Sequence, residues 1–317
     1  TSTSLIFKSS SMQRLWTLMQ NTANTKANIL ITGETGVGKS AVAKAIHAMS
    51  NRANGPFIEV NCAVLHENLI ESELFGYEKG AFTGAASGGK IGKIELANHG
   101  TLFLDGITAI PLDFQSQLLR VVESHCVTRV GGKEEIPLDI RIIASTNHNL
   151  EQDIENRRFS PELFYRLNIF RLSIPPLRER RGDIAYCANY FVDRLNALYP
   201  NVPHLCSQEF LDGLVHYEWP GNTRELQNSI ERAFISAPEV VLGAESLRSV
   251  FSTGMEEYTA QEKQPDNSEA GLIRMALIAS GGDVGEAAEN LKMSRATLYR
   301  RLKKYNISPK RGLCDPS

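Results

Sequence analysis

The sequence predicts an α/β fold built on a parallel sheet, followed by a helical unit and a separate all-α C-terminal unit. Three observations carry that expectation. Short apolar, β-rich runs alternate with helical patterns from about residue 27 to 175. A glycine-rich segment, GETGVGKS, falls between the first such run and a helix. After PPLRERRGDI (175–184) the strand pattern stops and helical patterns remain.

At 317 residues the chain exceeds one core of usual size, so two or three domains are expected. The strand candidates are ANILIT (27–32), FIEVN (57–61), TLFLD (101–105), IRIIAST (140–146) and IFRLSIP (169–175). Near-continuous apolar strands separated by helices imply a parallel sheet covered on both faces. In KSAVAKAIHAM, Val42, Ile46 and Met49 recur at helical spacing. EWPGNTRELQNSIERAF reads as a turn opening a helix. The α/β core is therefore assigned to residues 1–175 and the helical unit to 176–250. Residues 251–268 are polar and periodless, a linker. The third unit is 269–317.

The bulk composition narrows the function classes. A formal net charge of -2 gives the whole chain no nucleic-acid signal, so any basic patch must be local. Cys62, Cys126, Cys187, Cys206 and Cys314 are odd in number and form no C-x-x-C pair. That suits a reducing cytosol better than a disulfide framework or a zinc site. No apolar run approaches a membrane span, so no membrane association is expected. The chain begins TSTSL rather than with Met, so a preceding N-terminal segment that senses a signal is expected.

GETGVGKS matches the phosphate-loop pattern G-x-x-x-x-G-K-[ST] with a strand before it and a helix after it. Its residues are Gly33, Glu34, Thr35, Gly36, Val37, Gly38, Lys39 and Ser40. Glycines let backbone N–H groups curl around phosphate oxygens, and the helix N-terminus adds a favourable dipole. Lys39 is expected to reach the β- and γ-phosphates of ATP, and the Ser40 hydroxyl to sit on Mg²⁺. Asp105 ends the third strand candidate, GTLFLD. An acid there in a phosphate-loop protein holds the Mg²⁺.

In the C-terminal unit, DVGEAAENLKMSRATLYRRLKKYNI (283–307) reads as helix, tight turn, helix. Asp283 and Ser294 are natural N-caps. Ala287, Ala288 and Leu291 are expected to pack one helix, Leu298 and Leu302 the other. The second helix carries a local basic face on an otherwise neutral chain. Arg295, Ala296, Thr297 and Tyr299 are assigned to a DNA groove; Arg300, Arg301, Lys303 and Lys304 to phosphate contact. The preceding stretch EAGLIRMALIAS (269–280) is apolar over much of its surface and is expected to form a dimer interface.

Several further motifs converge. ESELFGYEKGAFTGA (71–85) contains GAFTGA, that is Gly80, Ala81, Phe82, Thr83, Gly84 and Ala85. RVGG (129–132), ASTN (144–147), FYRLNIF (164–170), PPLRERRGDI and WPGNTREL (219–226) accompany it. Together with GETGVGKS these make the chain resemble the NtrC-like AAA+ activators of sigma-54 RNA polymerase, over about residues 5–250 plus the C-terminal unit. The resemblance implies an AAA+ phosphate-loop core with a parallel sheet, a helical lid and a Fis-like helix-turn-helix. It implies a homo-oligomer, from dimer to hexameric ring, with ATP between subunits. Its partners are then sigma-54 RNA polymerase and double-stranded enhancer DNA. By the same likeness Asn61 senses the γ-phosphate, Asn147 is sensor I and Arg224 is sensor II. Arg166 is a finger on the neighbour's ATP, and residues 80–85 touch sigma-54. On composition, Phe82 is one large apolar side chain among glycines, which suits either a mobile contact loop or a ring tucked into the core.

Three positions depart from the family pattern. Gly106 follows Asp105 where the family has a Glu that orients the attacking water. Losing such a group typically lowers rate by roughly 10²–10⁴. No acid follows until Asp113. Ser160 stands where the first of two family arginines falls, with Arg158 out of register. Ser40 stands where the family commonly has Glu after the loop Lys, and Ser is the more usual Mg²⁺ ligand of phosphate-loop proteins. The expectation is tight ATP binding and slow hydrolysis, from either an introduced substitution or a naturally slow ATPase. The alternative to a polymerase-remodelling activator is a DNA-binding regulator that keeps ATP as a ligand. GAFTGA and the helix-turn-helix disfavour an unrelated phosphate-loop enzyme such as a kinase. No H-E-x-x-H or G-x-S-x-G is present to support a metalloprotease or serine hydrolase.

Overall fold

The computed structural model describes residues 8–64, 67–81, 88–237, 240–251, 284–291 and 293–304. The chain divides into two compact units, Thr1–Phe251 and Ser252–Ser317.

The first unit opens with α1 (Ser10–Ala23), in which Met12, Leu15, Met19 and Ala23 recur at helical spacing and are buried. β1 (Ile29–Thr32), buried at every position, leads through the glycine-rich loop into α2 (Lys39–Ala48). Val42 and Ile46 face the core as expected, and Met49 lies one residue past the helix end. β2 (Phe57–Asn61) and α3 (Glu67–Phe75) follow. A short antiparallel ribbon of β3 (Gly76–Tyr77) and β4 (Lys90–Ile91) brackets residues 82–87. One turn of helix, α4 (Lys93–Leu96), precedes β5 (Thr101–Asp105). Next comes α5 (Leu112–Ser124), then a second ribbon of β6 (Cys126–Val127) and β7 (Ile136–Pro137). β8 (Arg141–Thr146), α6 (Leu150–Glu155), α7 (Pro161–Leu167) and β9 (Phe170–Ser173) complete the α/β part.

The five longer strands form one parallel sheet in the order β2-β5-β8-β1-β9. Alternate residues of each strand feed opposite faces, as the two-residue pleat requires. Leu30, Leu102, Leu104, Ile142 and Ala144 enter one cluster with Leu118 and Leu163. Ile29, Ile31, Phe103, Ile143 and Leu172 enter the other with Met19, Val42 and Ile46. Two buried faces are why the inner strands β1, β5 and β8 read as nearly continuous apolar runs, whereas the edge strands β2 and β9 carry exposed Glu59 and Arg171. The outermost residues of the expected runs at 27–32, 140–146 and 169–175 fall outside the paired register. Arg141 is buried at the start of β8, where its guanidinium donates to the carbonyls of Thr22 and Ala23 at the C-terminal end of α1. A cation there complements the helix dipole, although burial lowers its pKa to about 10.

After β9 the chain turns helical: α8 (Ile184–Leu198), then β10 (Leu205–Cys206), α9 (Gln208–Val215), α10 (Asn222–Ser236), β11 (Val241–Leu242) and α11 (Leu247–Phe251). Trp219, Phe210, Leu226 and Ile230 sit in its own hydrophobic cluster. The expectation of helices alone is corrected by β10 and β11, which pair in parallel. Two residues each are too few to leave an alternating pattern in the sequence.

In the second unit α12 (Val284–Asn290) packs on α13 (Arg295–Lys304) through Ala287, Ala288, Leu298 and Leu302. Ser294 caps α13: its hydroxyl accepts the Thr297 N–H at 3.2 Å. Phe251, the first residue assigned to the linker, ends α11 instead; Asp283, residues 252–268 and the stretch 269–280 lie outside the described residues. Among the described residues no helix is long and apolar enough to cross a membrane, and the four described cysteines are free.

Candidate functional site

The sheet is parallel, so all five strands end on one edge, and the order reverses at β1. Ligands of open α/β sheets bind at such an edge, where the strand order switches. Asn61 pairs in register with Asp105, and Asp105 with Ser145. Three polar residues therefore stand side by side at the ends of β2, β5 and β8.

The loop after β1 turns back toward this edge. Gly36 and Gly38 take φ of +82° and +104°, values open mainly to glycine. A side chain on Gly36 would also strike the carbonyl oxygen of Gly221. Lys39 begins α2 and its Nζ donates to the carbonyls of Gly33 at 2.8 Å and Glu34 at 3.0 Å. Burial lowers the Lys39 pKa, with Arg224 adding to the effect and Asp105 opposing it. Asp105 accepts a hydrogen bond from the Ser145 hydroxyl, which also receives the Gly106 N–H at 3.2 Å. Asn147 donates to the Thr35 hydroxyl at 3.3 Å. The Asn61 side chain accepts the N–H of Ala63 at 3.1 Å.

A cleft of about 1170 Å³ gathers these groups: Thr35 to Ser40 of the loop, Asn61, Asp105, Gly106, Asn147 and Arg224. Lys44 and His47 of α2, Tyr190 and Arg194 of α8, and Thr223 and Gln227 of α10 also line it. Among the described residues Asp105 is the one acid on its wall.

Not every expected residue joins the cleft. Gly33 and Glu34 are absent from its lining. The Glu34 carboxylate instead takes two bonds from Arg178, at 2.8 and 2.6 Å, and one from Asn222 at 3.1 Å. Those bonds, Arg178 first, lower its pKa from 4.5 to about 2. A depressed carboxylate adds stability above its unfolded pKa and loses it as pH falls through the folded value. The gap in melting temperature between the native chain and Glu34→Gln is therefore expected to be full at pH 6 and to shrink from about pH 4.5 toward 2. A gap independent of pH over that range would contradict the assignment.

Arg166 is exposed and paired with Glu123 at 2.8 Å, away from the cleft of its own chain. Ser160, where an arginine was expected, caps α7 through the Leu163 N–H at 3.3 Å. Gly80 and Ala81 follow the β3 ribbon, and Phe82, Thr83, Gly84 and Ala85 lie outside the described residues. The stem before them is braced by Arg129, which binds Glu78 at 3.0 Å and Glu95 at 2.8 Å. In the second unit Arg295, Tyr299 and Arg300 are exposed, while Thr297 and Arg301 are partly buried. The side chains of Ala296, Lys303 and Lys304 are outside the described set.

Sequence reasoning missed Ser145, Arg178, Arg180 and Asn222. Ser145 carried a faint signal, as a polar residue two before Asn147 at a strand end. The other three sit in quoted motifs, but nothing local says that they turn toward the glycine loop.

A model of the Sigma-54 interaction domain matches residues 5–173. One of the AAA+ ATPase lid domain matches 178–264, and one of the bacterial regulatory protein Fis family matches 264–305. The nitrogen fixation protein AnfA of Azotobacter vinelandii is 42% identical over 310 residues, covering 96% of this chain and 58% of that protein. The C4-dicarboxylate transport transcriptional regulatory protein DctD of Pseudomonas aeruginosa is 41% identical over 303 residues, covering 96% and 64%. The crystal structure of NtrX from Brucella abortus in complex with ATP aligns with a TM-score of 0.69 at 33% identity, covering 95% of this chain and 69% of that one. The chain spans about half the length of the curated relatives it matches, 58% of AnfA and 48% and 52% of two others. With an AAA+ core, a matching lid and a Fis-type helix-turn-helix in series, the chain belongs to the family defined by the sigma-54 interaction domain.

Proposed function

We propose that this chain binds ATP with Mg²⁺ in the cleft beside α2 and serves as the ATP-driven part of a sigma-54-dependent transcription activator. The observation that carries this reading is the gathering of Lys39, Asp105, Asn147 and Arg224 on one cleft at the carboxyl edge of a parallel sheet. The NtrX structures with ATP and with ADP support the choice of ligand.

The loop N–H groups and Lys39 hold the phosphates, while Arg224 reaches them from the lid. The donor set suits Mg²⁺, which takes few protein oxygens and fills its shell from phosphates and water. Ser40 and Asp105 supply a hydroxyl and a carboxylate to the same cleft, and the described residues contain no larger cluster of acids, His or Cys. Mg²⁺ there would neutralise phosphate charge. Ser145 keeps the Asp105 carboxylate aimed. Asn61 and Asn147 read the γ-phosphate. Arg166, whose exposed pair with Glu123 is worth little, leaves it to act on the ATP of a neighbour in a ring. Residues 80–85 contact sigma-54, and α13 enters enhancer DNA. In this reading residues 1–175 are the core, 176–250 the lid, 251–268 the linker and 269–317 the DNA-binding domain.

Gly106 favours a second reading, a DNA-binding regulator that holds ATP with little or no hydrolysis. Among the described residues no carboxylate other than Asp105 lines the cleft to orient water. An open-complex assay with sigma-54 polymerase separates the two. The first expects open complexes with ATP and none with a non-hydrolysable analogue. Binding of ATP and DNA without open complexes would leave the second.

A further inference from the structure

Four consecutive residues of the glycine loop, Glu34 to Val37, are each bonded either to the segment that follows β9 or to the first turn of α10. Arg178 holds the Glu34 carboxylate in a two-point pair at 2.8 and 2.6 Å. The Asn222 amide donates to that carboxylate and to the Thr35 carbonyl, both at 3.1 Å. The Gly36 carbonyl accepts the Arg224 N–H at 3.3 Å, and the Val37 carbonyl accepts from Arg180 at 3.0 Å. Asn222 is fully buried with φ of +54°, and its side-chain oxygen takes the Leu177 N–H at 2.8 Å. Asparagine tolerates that left-handed conformation better than most residues. With a further contact to the Pro220 carbonyl at 3.5 Å, its four polar contacts leave its amide little freedom to turn elsewhere.

We propose that Glu34, Arg178 and Asn222 are positioning residues that latch the phosphate loop to the lid and so set how long nucleotide is retained. The proposal rests on the nucleotide-binding reading above. A loop rich in glycine loses much conformational freedom when its N–H groups converge on phosphate. Holding it beforehand removes part of that loss from the binding step. The latch also makes retention depend on lid position, because movement of the Asn222 turn pulls on three loop residues, Glu34 to Gly36, together. Sensor II is then one of two links from lid to nucleotide, and the second never touches the ligand.

The test is nucleotide release from the full 317-residue chain, followed with mant-ADP chased by unlabelled ADP. Glu34→Arg and Arg178→Glu each break the pair, and the double variant rebuilds it with the charges exchanged. The side chains are 42% and 36% exposed, so solvent screening limits each single variant to about a 10-fold faster release. The exchanged pair is expected to return release to within about 3-fold of the native chain, the Asn222 bond to the carboxylate at position 34 being the part not restored. A merely structural role would not be restored by exchange. Native release rates in both single variants overturn the latch, as does a folded double variant that fails to recover. Should a single variant misfold, Glu34→Gln keeps side-chain volume and is expected to release about 5-fold faster; no change overturns the latch. A native chain that binds no mant-ADP overturns the nucleotide reading, and the latch with it.

Discussion

Gly106→Glu is expected to raise ATP turnover by about 10²-fold while leaving ATP affinity within about 3-fold of the native chain. Asp105 and Ser145 are in place, so in the proposed reading the sheet edge keeps the acid assigned to Mg²⁺ and the hydroxyl bonded to it. What it lacks is a carboxylate to orient water. A side chain at position 106 has room, since nothing lies within 4 Å of where its Cβ would be, and the position lines the cleft. The backbone works against the change. Gly106 has φ of +75°, and a left-handed residue with a side chain costs roughly 1–2 kcal/mol. The variant should therefore melt a few degrees lower, about 2–8 °C for a unit of this size, unless the turn relaxes. That penalty is why the expected gain sits at the low end of the range for an acid–base group. Steady-state ATPase rate, measured beside mant-ATP affinity and a melting curve, reads all three effects. Unchanged turnover in a folded, ATP-binding variant would remove position 106 from the explanation of slow hydrolysis. Fast turnover by the native chain would remove the explanation altogether.

Lys39→Ala is expected to weaken ATP and ADP by about 10²-fold, the scale of one charge-assisted hydrogen-bonding group in a partly buried site. Lys39 opens α2, its ammonium already lies against the loop carbonyls of Gly33 and Glu34, and it lines the cleft with Asp105. Titration with mant-labelled nucleotides checks the magnitude, and unchanged affinity would sink the phosphate assignment of the loop. A pH series gives a second check. Burial lowers the Lys39 pKa below 10.5, so its charge is lost at lower pH than for an ordinary lysine. Nucleotide affinity should fall as pH rises through that lowered value, and Lys39→Ala should flatten the alkaline limb.

Much of the α/β part was legible because its signals are local or periodic. The three inner strands β1, β5 and β8 were legible because burial on both faces leaves an almost unbroken hydrophobic run in the sequence, while the edge strands β2 and β9 keep shorter apolar stretches broken by exposed Glu59 and Arg171. The α12–α13 pair was legible for a related reason: Ala287, Ala288, Leu298 and Leu302 repeat at the spacing of two crossing helices. The ribbon of β10 and β11 was not, because two-residue strands have no period. Ser160 was read from the sequence as a missing arginine. Its place at the start of α7 adds a local reason for serine, since its hydroxyl satisfies an otherwise unpaired helix N–H.

The candidate site divides along the same line. By itself the sequence determined the loop from Gly33 to Ser40, the acid at the end of β5 and the absence of a second acid beside it. Those features depend on residue type and chain neighbours alone. Only the tertiary structure decided that Glu34 faces Arg178 and Asn222 rather than the cleft, that Ser145 holds Asp105, and that Gly106 is left-handed. The physical reason is distance along the chain. A strand or a glycine loop is specified within a few residues, whereas the partner of a charged side chain 144 or 188 positions away is settled when the sheet and the lid close on each other.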